Sequence, residues 1–81
     1  MLVYARYWKP ELEGYGGKDY LFETGLPLAV GERVIAPSWK GEQKAIVTKT
    51  RVKVSELPEG LLDKLGTLSR IEKLDSGEDA R

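Results

Sequence analysis

The sequence predicts a small all-β barrel, SH3-like and partly open, with about five antiparallel strands and one short helix. Three observations carry that prediction. Lys18-Asp19-Tyr20-Leu21-Phe22, Gly31 to Pro37, and Lys44-Ala45-Ile46-Val47 read as short strands separated by glycine and proline turns. Leu2 to Lys9 alternates with period two, Val3, Ala5 and Tyr7 on one face and Tyr4, Arg6 and Trp8 on the other, as a half-buried strand does. The chain has 81 residues, enough for one core. A domain of that size buries only about 60% of its unfolded surface.

Taken in order, the first strand ends at Pro10, which cannot donate to a ladder. Glu11 to Gly17 holds Gly14, Gly16 and Gly17 around Tyr15 and reads as a mobile loop. Asp19 to Thr24 gives the second strand and Gly25-Leu26-Pro27 its turn. Leu28 to Glu32 leads through a reversal at Gly31, where glycine supplies the backbone freedom, into a third strand from Arg33 to Pro37. Trp39 to Gln43 supplies a hairpin loop. Lys44 to Val54 runs eleven residues without Gly or Pro and is expected as one long strand turning a barrel corner, Val52 and Val54 on one face and Lys49, Arg51 and Lys53 on the other. Ser55 to Glu59 starts a short helix with acidic residues suited to its first turn. Thr67 to Leu74 offers the closing strand. Residues 1–74 therefore read as one domain, and 75–81, polar and without a large apolar anchor, as a disordered tail.

Composition narrows the function. There is no cysteine and no histidine, which removes disulfides, thiol nucleophiles, thiolate metal sites and the commonest general base. Glu11, Glu13 and Asp19 have no nucleophile or base beside them, so the sequence offers no catalytic residues, no metal site and no cofactor motif, and the chain is expected not to be an enzyme. Thirteen basic residues balance thirteen acidic ones, so any electrostatic recognition has to be local. No leader-like or membrane-spanning stretch is present, and a cytoplasmic location is expected.

Charge does segregate locally. From Trp39 to Lys53 there are five basic residues and one acidic, whereas Val54 to Arg81 carries four basic and seven acidic. Lys49, Arg51 and Lys53, with Lys40 and Lys44 nearby, form a candidate stripe for phosphates; the same lysines also suit the solubility and edge protection of an exposed strand. Of the aromatic residues most are needed for a core, while Tyr15 and Trp39, in expected loops, are candidate stacking platforms for unpaired bases. Capping of a barrel end is the equally available role for those two.

Lys18-Asp19-Tyr20-Leu21, Gly25, Gly31-Glu32-Arg33-Val34 with Pro37, and Ile46-Val47 together resemble the N-terminal barrel of the bacterial primosomal replication-restart helicase. The resemblance extends from about Asp19 to Leu74 and takes in Ser55-Glu56-Leu57-Pro58. It implies binding of the 3′ end of a DNA strand, with Asp19 on the terminal nucleotide and Tyr20 beside it. The family's aromatic residue before the aspartate is Lys18 here, and the chain has no helicase motor. It also resembles short proteins of bacterial and prophage genomes. The sequence thus points to a non-enzymatic binding module for single-stranded DNA or DNA strand ends. The alternative is a protein–protein interaction module in which a strand edge pairs with a partner and Trp39 anchors it.

Overall fold

The computed structural model describes residues 1–63 and 68–75. Its strands are β1 (Leu2–Lys9), β2 (Gly14–Tyr15), β3 (Tyr20–Thr24), β4 (Arg33–Ser38), β5 (Gly41–Lys49), β6 (Arg70–Ile71) and β7 (Lys73–Leu74). A 3₁₀ turn at Val54–Glu56 and a four-residue helix, α1 (Glu59–Leu62), separate β5 from β6.

The main sheet runs β6-β3-β1-β5-β4-β7, with β2 paired to the end of β1. Because β6 and β7 are two halves of one segment, residues 70–74 join both edges of that sheet and form a nearly closed barrel. Arg70 and Ile71 pair in parallel with Glu23 and Thr24; Lys73 and Leu74 pair antiparallel with Ile35 and Val34. The predicted five-strand barrel is therefore present, its fifth strand broken at Glu72 so that each half serves a different edge. The other pairings are antiparallel.

Alternation decides what fills the barrel. Val3 and Ala5 of β1, Phe22 of β3, Val34 and Ala36 of β4, and Ala45 and Val47 of β5 point inward with Leu28 and Ile71. Three alanines among them keep the interior narrow enough for side chains alone to fill it. Thr24 is the one buried polar residue among those described, and its hydroxyl is satisfied twice, donating to Ile71 O at 2.8 Å and accepting from Leu26 N–H at 3.0 Å. Beside it the N-terminal amine donates to Thr24 O. A second cluster, Leu21, Val52 and Leu57 with Leu2, Tyr4 and Leu61, lies on the outer face of β1 and β3.

Three expectations need correction. The long strand from Lys44 to Val54 ends at Lys49, and the register against β1 shifts between Tyr4 and Ala5. Arg51 then takes φ +54°, Val52 turns into the second cluster with its N–H on Leu2 O, and Val54 stays exposed, so the two valines do not share a face. The glycine-rich segment after Pro10 is a hairpin rather than a free loop. Gly14 pairs with Lys9, Tyr15 pairs with Trp8, and Gly16 N–H reaches Tyr7 O. The Gly31 reversal stands as expected, at φ +92°. The expected tail lies outside the described residues from residue 76 onward; Asp75 itself donates its N–H to Arg33 O.

Candidate functional site

The two ends of the barrel differ because the inward positions differ. At the end holding Met1, Thr24 and Ile71, inward side chains are apolar or internally satisfied. At the other end the same inward rows continue with larger and more polar residues, Tyr7 and Lys9 on β1, Tyr20 on β3, Ser38 on β4 and Gln43 on β5. They cannot close over one another, and a mouth of about 500 Å³ remains, bordered also by Phe22, Pro37, Trp39, Lys40, Leu68 and Ser69.

Aromatic rings form its floor. Tyr7 meets Phe22 edge-on at 6.1 Å and Tyr20 at 5.5 Å, both ordinary aromatic pair separations. The Tyr7 hydroxyl donates to Pro37 O, which ties the floor to the end of β4. Burial, with Tyr20 adding a smaller effect, pushes the Tyr7 phenol above its ordinary pKa. Tyr20 is 45% exposed and presents ring to the opening.

The rim carries Trp39 and Lys40 at the tip of the β4–β5 hairpin. Ser38 pairs with Gly41 across this tip, leaving only Trp39 and Lys40 between them. Gly41 takes φ +105°, a conformation that side chains resist. The Ser38 hydroxyl accepts from Lys40 N–H and donates to Gly41 O at 2.6 Å. This small, internally bonded turn holds the Trp39 indole 89% exposed, with the Lys40 ammonium 5.2 Å from its ring centre.

Of the candidate residues, Tyr20, Trp39 and Lys40 therefore meet at the mouth. Lys44 lies near the same rim on the outward row of β5. Asp19 stands next to Tyr20, but its carboxylate is held by Arg6 Nε at 2.5 Å and does not border the mouth. Tyr15 is a half-buried partner of Trp8, ring centres 5.2 Å apart and nearly perpendicular, and is not a free stacking platform. Lys49, Arg51 and Lys53 lie toward the opposite end and make no single strand face. Five residues of extended chain separate Lys49 from Lys44, roughly 17 Å. Lys49 is paired with Glu56 at 3.3 Å, and Glu56 also accepts from Lys53 N–H. Those two contacts, led by the Lys53 backbone, hold the Glu56 carboxyl below its ordinary pKa.

Sequence reasoning missed Tyr7, Lys9, Phe22 and Gln43. The available signal was the inward row of β1, in which Tyr7 and Lys9 continue Val3 and Ala5 past the point where the core is full. Among the described residues no group of three or more carboxylates, histidines or cysteines is placed to hold a metal ion, and no helix is long and apolar enough to cross a membrane. Compared with known protein families, curated proteins and solved structures, the chain matches none.

Proposed function

We propose that this barrel is a non-enzymatic binding module for single-stranded nucleic acid, with DNA as the leading ligand, and that it binds at the aromatic mouth. A base stacks between Trp39 and the Tyr20 edge of the floor, and Lys9 and Lys40 meet the flanking phosphates. The observation that carries this reading is an indole 89% exposed, held by an internally hydrogen-bonded two-residue turn beside an aromatic cavity with lysines on its rim. Exposure of that much ring costs solvation free energy in the free protein, and stacking on a base recovers roughly 1–3 kcal/mol. Lys40, already over the indole, is positioned to exchange the ring for a phosphate once a base arrives.

The resemblance to the primosomal helicase barrel supports a narrower version, recognition of a 3′ end. In that version Asp19 leaves Arg6 for a terminal sugar hydroxyl, next to Tyr20 at the mouth. The rival reading, a protein partner anchored on Trp39, draws on the same exposed indole. In its edge-pairing form the partner strand would have to use the parts of β3 and β4 beyond Glu23–Thr24 and Val34–Ile35, which residues 70–74 already pair.

The test is fluorescence anisotropy with labelled dT8, ending in a 3′ hydroxyl or a 3′ phosphate, from 50 to 200 mM salt. Two phosphate contacts predict a log–log salt slope of about −1.4. Absence of binding at 50 mM salt refutes the nucleic-acid reading and leaves the protein partner. Equal affinity for the two ends removes the role of Asp19 alone.

A further inference from the structure

Beyond the mouth, the outer surface of the same rim carries a second cavity of about 380 Å³. It is lined by Trp8, Pro10, Glu11 and Lys44, and it shares Lys9, Lys40 and Gln43 with the mouth. The two cavities lie on opposite sides of the ends of β1 and β5 for a simple reason. Tyr7, Lys9 and Gln43 occupy inward positions of those strands, whereas Trp8 and Lys44, one residue along, face outward. The shared residues are the lip between them.

Each cavity falls within the ~300–1,000 Å³ typical of small-molecule sites. Each also contains one of the protein's two tryptophans. The outer one is positioned by the β1–β2 hairpin, in which Tyr15 packs edge-on against Trp8. Lysines are concentrated at the lip and beyond it: Lys9 and Lys40 border both cavities, Lys44 the outer one, and Glu11 is the single acidic residue in either lining. An aromatic surface on each side of a cationic ridge matches the repeat of a nucleotide chain, base, phosphate, base.

Building on the function proposed above, we infer that the strand crosses the lip, so that the recognised unit is a dinucleotide step. One base occupies the mouth with Tyr20 and Trp39. The phosphates on either side of that base meet Lys9 and Lys40 at the lip, and the next base lies against Trp8 with Lys44 beside it. A mononucleotide satisfies only one half of such a site.

The two tryptophans allow each half to be read separately. In Trp8→Phe the remaining indole reports the mouth, and in Trp39→Phe it reports the outer cavity. Both variants are titrated at one fixed salt concentration with thymidine 5′-monophosphate, the dinucleotide pdTpdT and dT8. The expected result is that pdTpdT and dT8 quench both indoles with one shared midpoint, at least about five-fold tighter than the mononucleotide. Lys44→Ala should weaken pdTpdT several-fold and reduce the quenching of Trp8. If dT8 quenches Trp39 but leaves Trp8 unchanged, or if pdTpdT binds no tighter than the mononucleotide, the lip-crossing path is overturned while the mouth remains the binding site. If dT8 quenches neither indole, both proposals fall.

Discussion

Replacing Trp39 by alanine should separate binding from stability, and the geometry sets the size of both effects. The side chain is 89% exposed, so about a tenth of its surface is covered in the free protein. For a ring of ~250 Å² that is roughly 25 Å², or about 0.6 kcal/mol at ~25 cal/mol per Å². The contact with Lys40 adds ~0.5–1 kcal/mol at an exposed position. Trp39→Ala should therefore lower unfolding free energy by no more than about 1.5 kcal/mol, against ~3–5 kcal/mol for an aromatic residue packed in a core. Loss of a stacking platform costs ~1–3 kcal/mol in binding, which is a five-fold to 150-fold weaker affinity for dT8. Urea unfolding followed by circular dichroism reads the first quantity and anisotropy reads the second. Trp39→Phe should recover part of the affinity, since a smaller ring still stacks. The reasoning is refuted if Trp39→Ala costs more than ~3 kcal/mol of stability, because the indole would then be folded into the barrel. It is equally refuted if affinity is unchanged.

The remaining predictions address closure and charge. Ile71 is fully buried where residues 70–74 join the two sheet edges, so Ile71→Ala should cost ~2–5 kcal/mol in urea unfolding. That is a large share of the ~4–12 kcal/mol expected for a chain of this length. Lys9→Ala combined with Lys40→Ala should flatten the salt dependence of dT8 binding by about 1.4 in log–log slope. The pair Lys49→Ala and Arg51→Ala should leave that slope unchanged, because those side chains lie toward the other end of the barrel. Glu56, held below its ordinary pKa of 4.5 by Lys53 N–H and Lys49, contributes stability that is present above the unfolded value and lost as pH falls through the folded one. Acid titration of the wild type and Glu56→Gln should therefore show the wild type more stable near neutrality, with the two curves converging only as pH falls through the lowered folded pKa of Glu56.

The parts of the fold legible in the sequence are those written in local chemistry. The alternation of Leu2 to Lys9 gave the inward row of β1, Gly31 marked a reversal that needs positive φ, and Trp39 fell at a hairpin tip. What escaped was set by tertiary pairing. Nothing in Thr50-Arg51 resembles a strand terminator, yet β5 stops there because Val52 leaves the ladder to bond Leu2 O and enter the outer cluster. Arg51 absorbs the turn at φ +54° without glycine. Likewise, no residue in Arg70 to Leu74 announces that its two halves pair with different strands. The mouth was hidden for the same reason, because Tyr7, Tyr20 and Gln43 are far apart in sequence and meet only when three inward rows end at one level.

Closure and recognition are thereby assigned to opposite ends of one short barrel. At the closed end the inward polar groups have internal partners: Thr24 bonds Ile71 and Leu26, and the N-terminal amine bonds Thr24. At the open end polar and aromatic side chains outnumber the space available inside, and the alanines at 5, 36 and 45 leave the large rings above them rather than between them. Tyr7 ties the open end to itself, its ring resting on Phe22 and its hydroxyl on Pro37. Changes at Ile71 and at Trp39, which share no partner, should therefore add in stability within about 0.5 kcal/mol. Tyr7→Phe belongs to neither group. Removing its hydroxyl leaves Pro37 O without that donor and frees the strand that carries the Trp39 tip. Its effect on dT8 affinity should consequently exceed what a residue on the floor of the mouth, beneath Tyr20, would cause by direct contact alone.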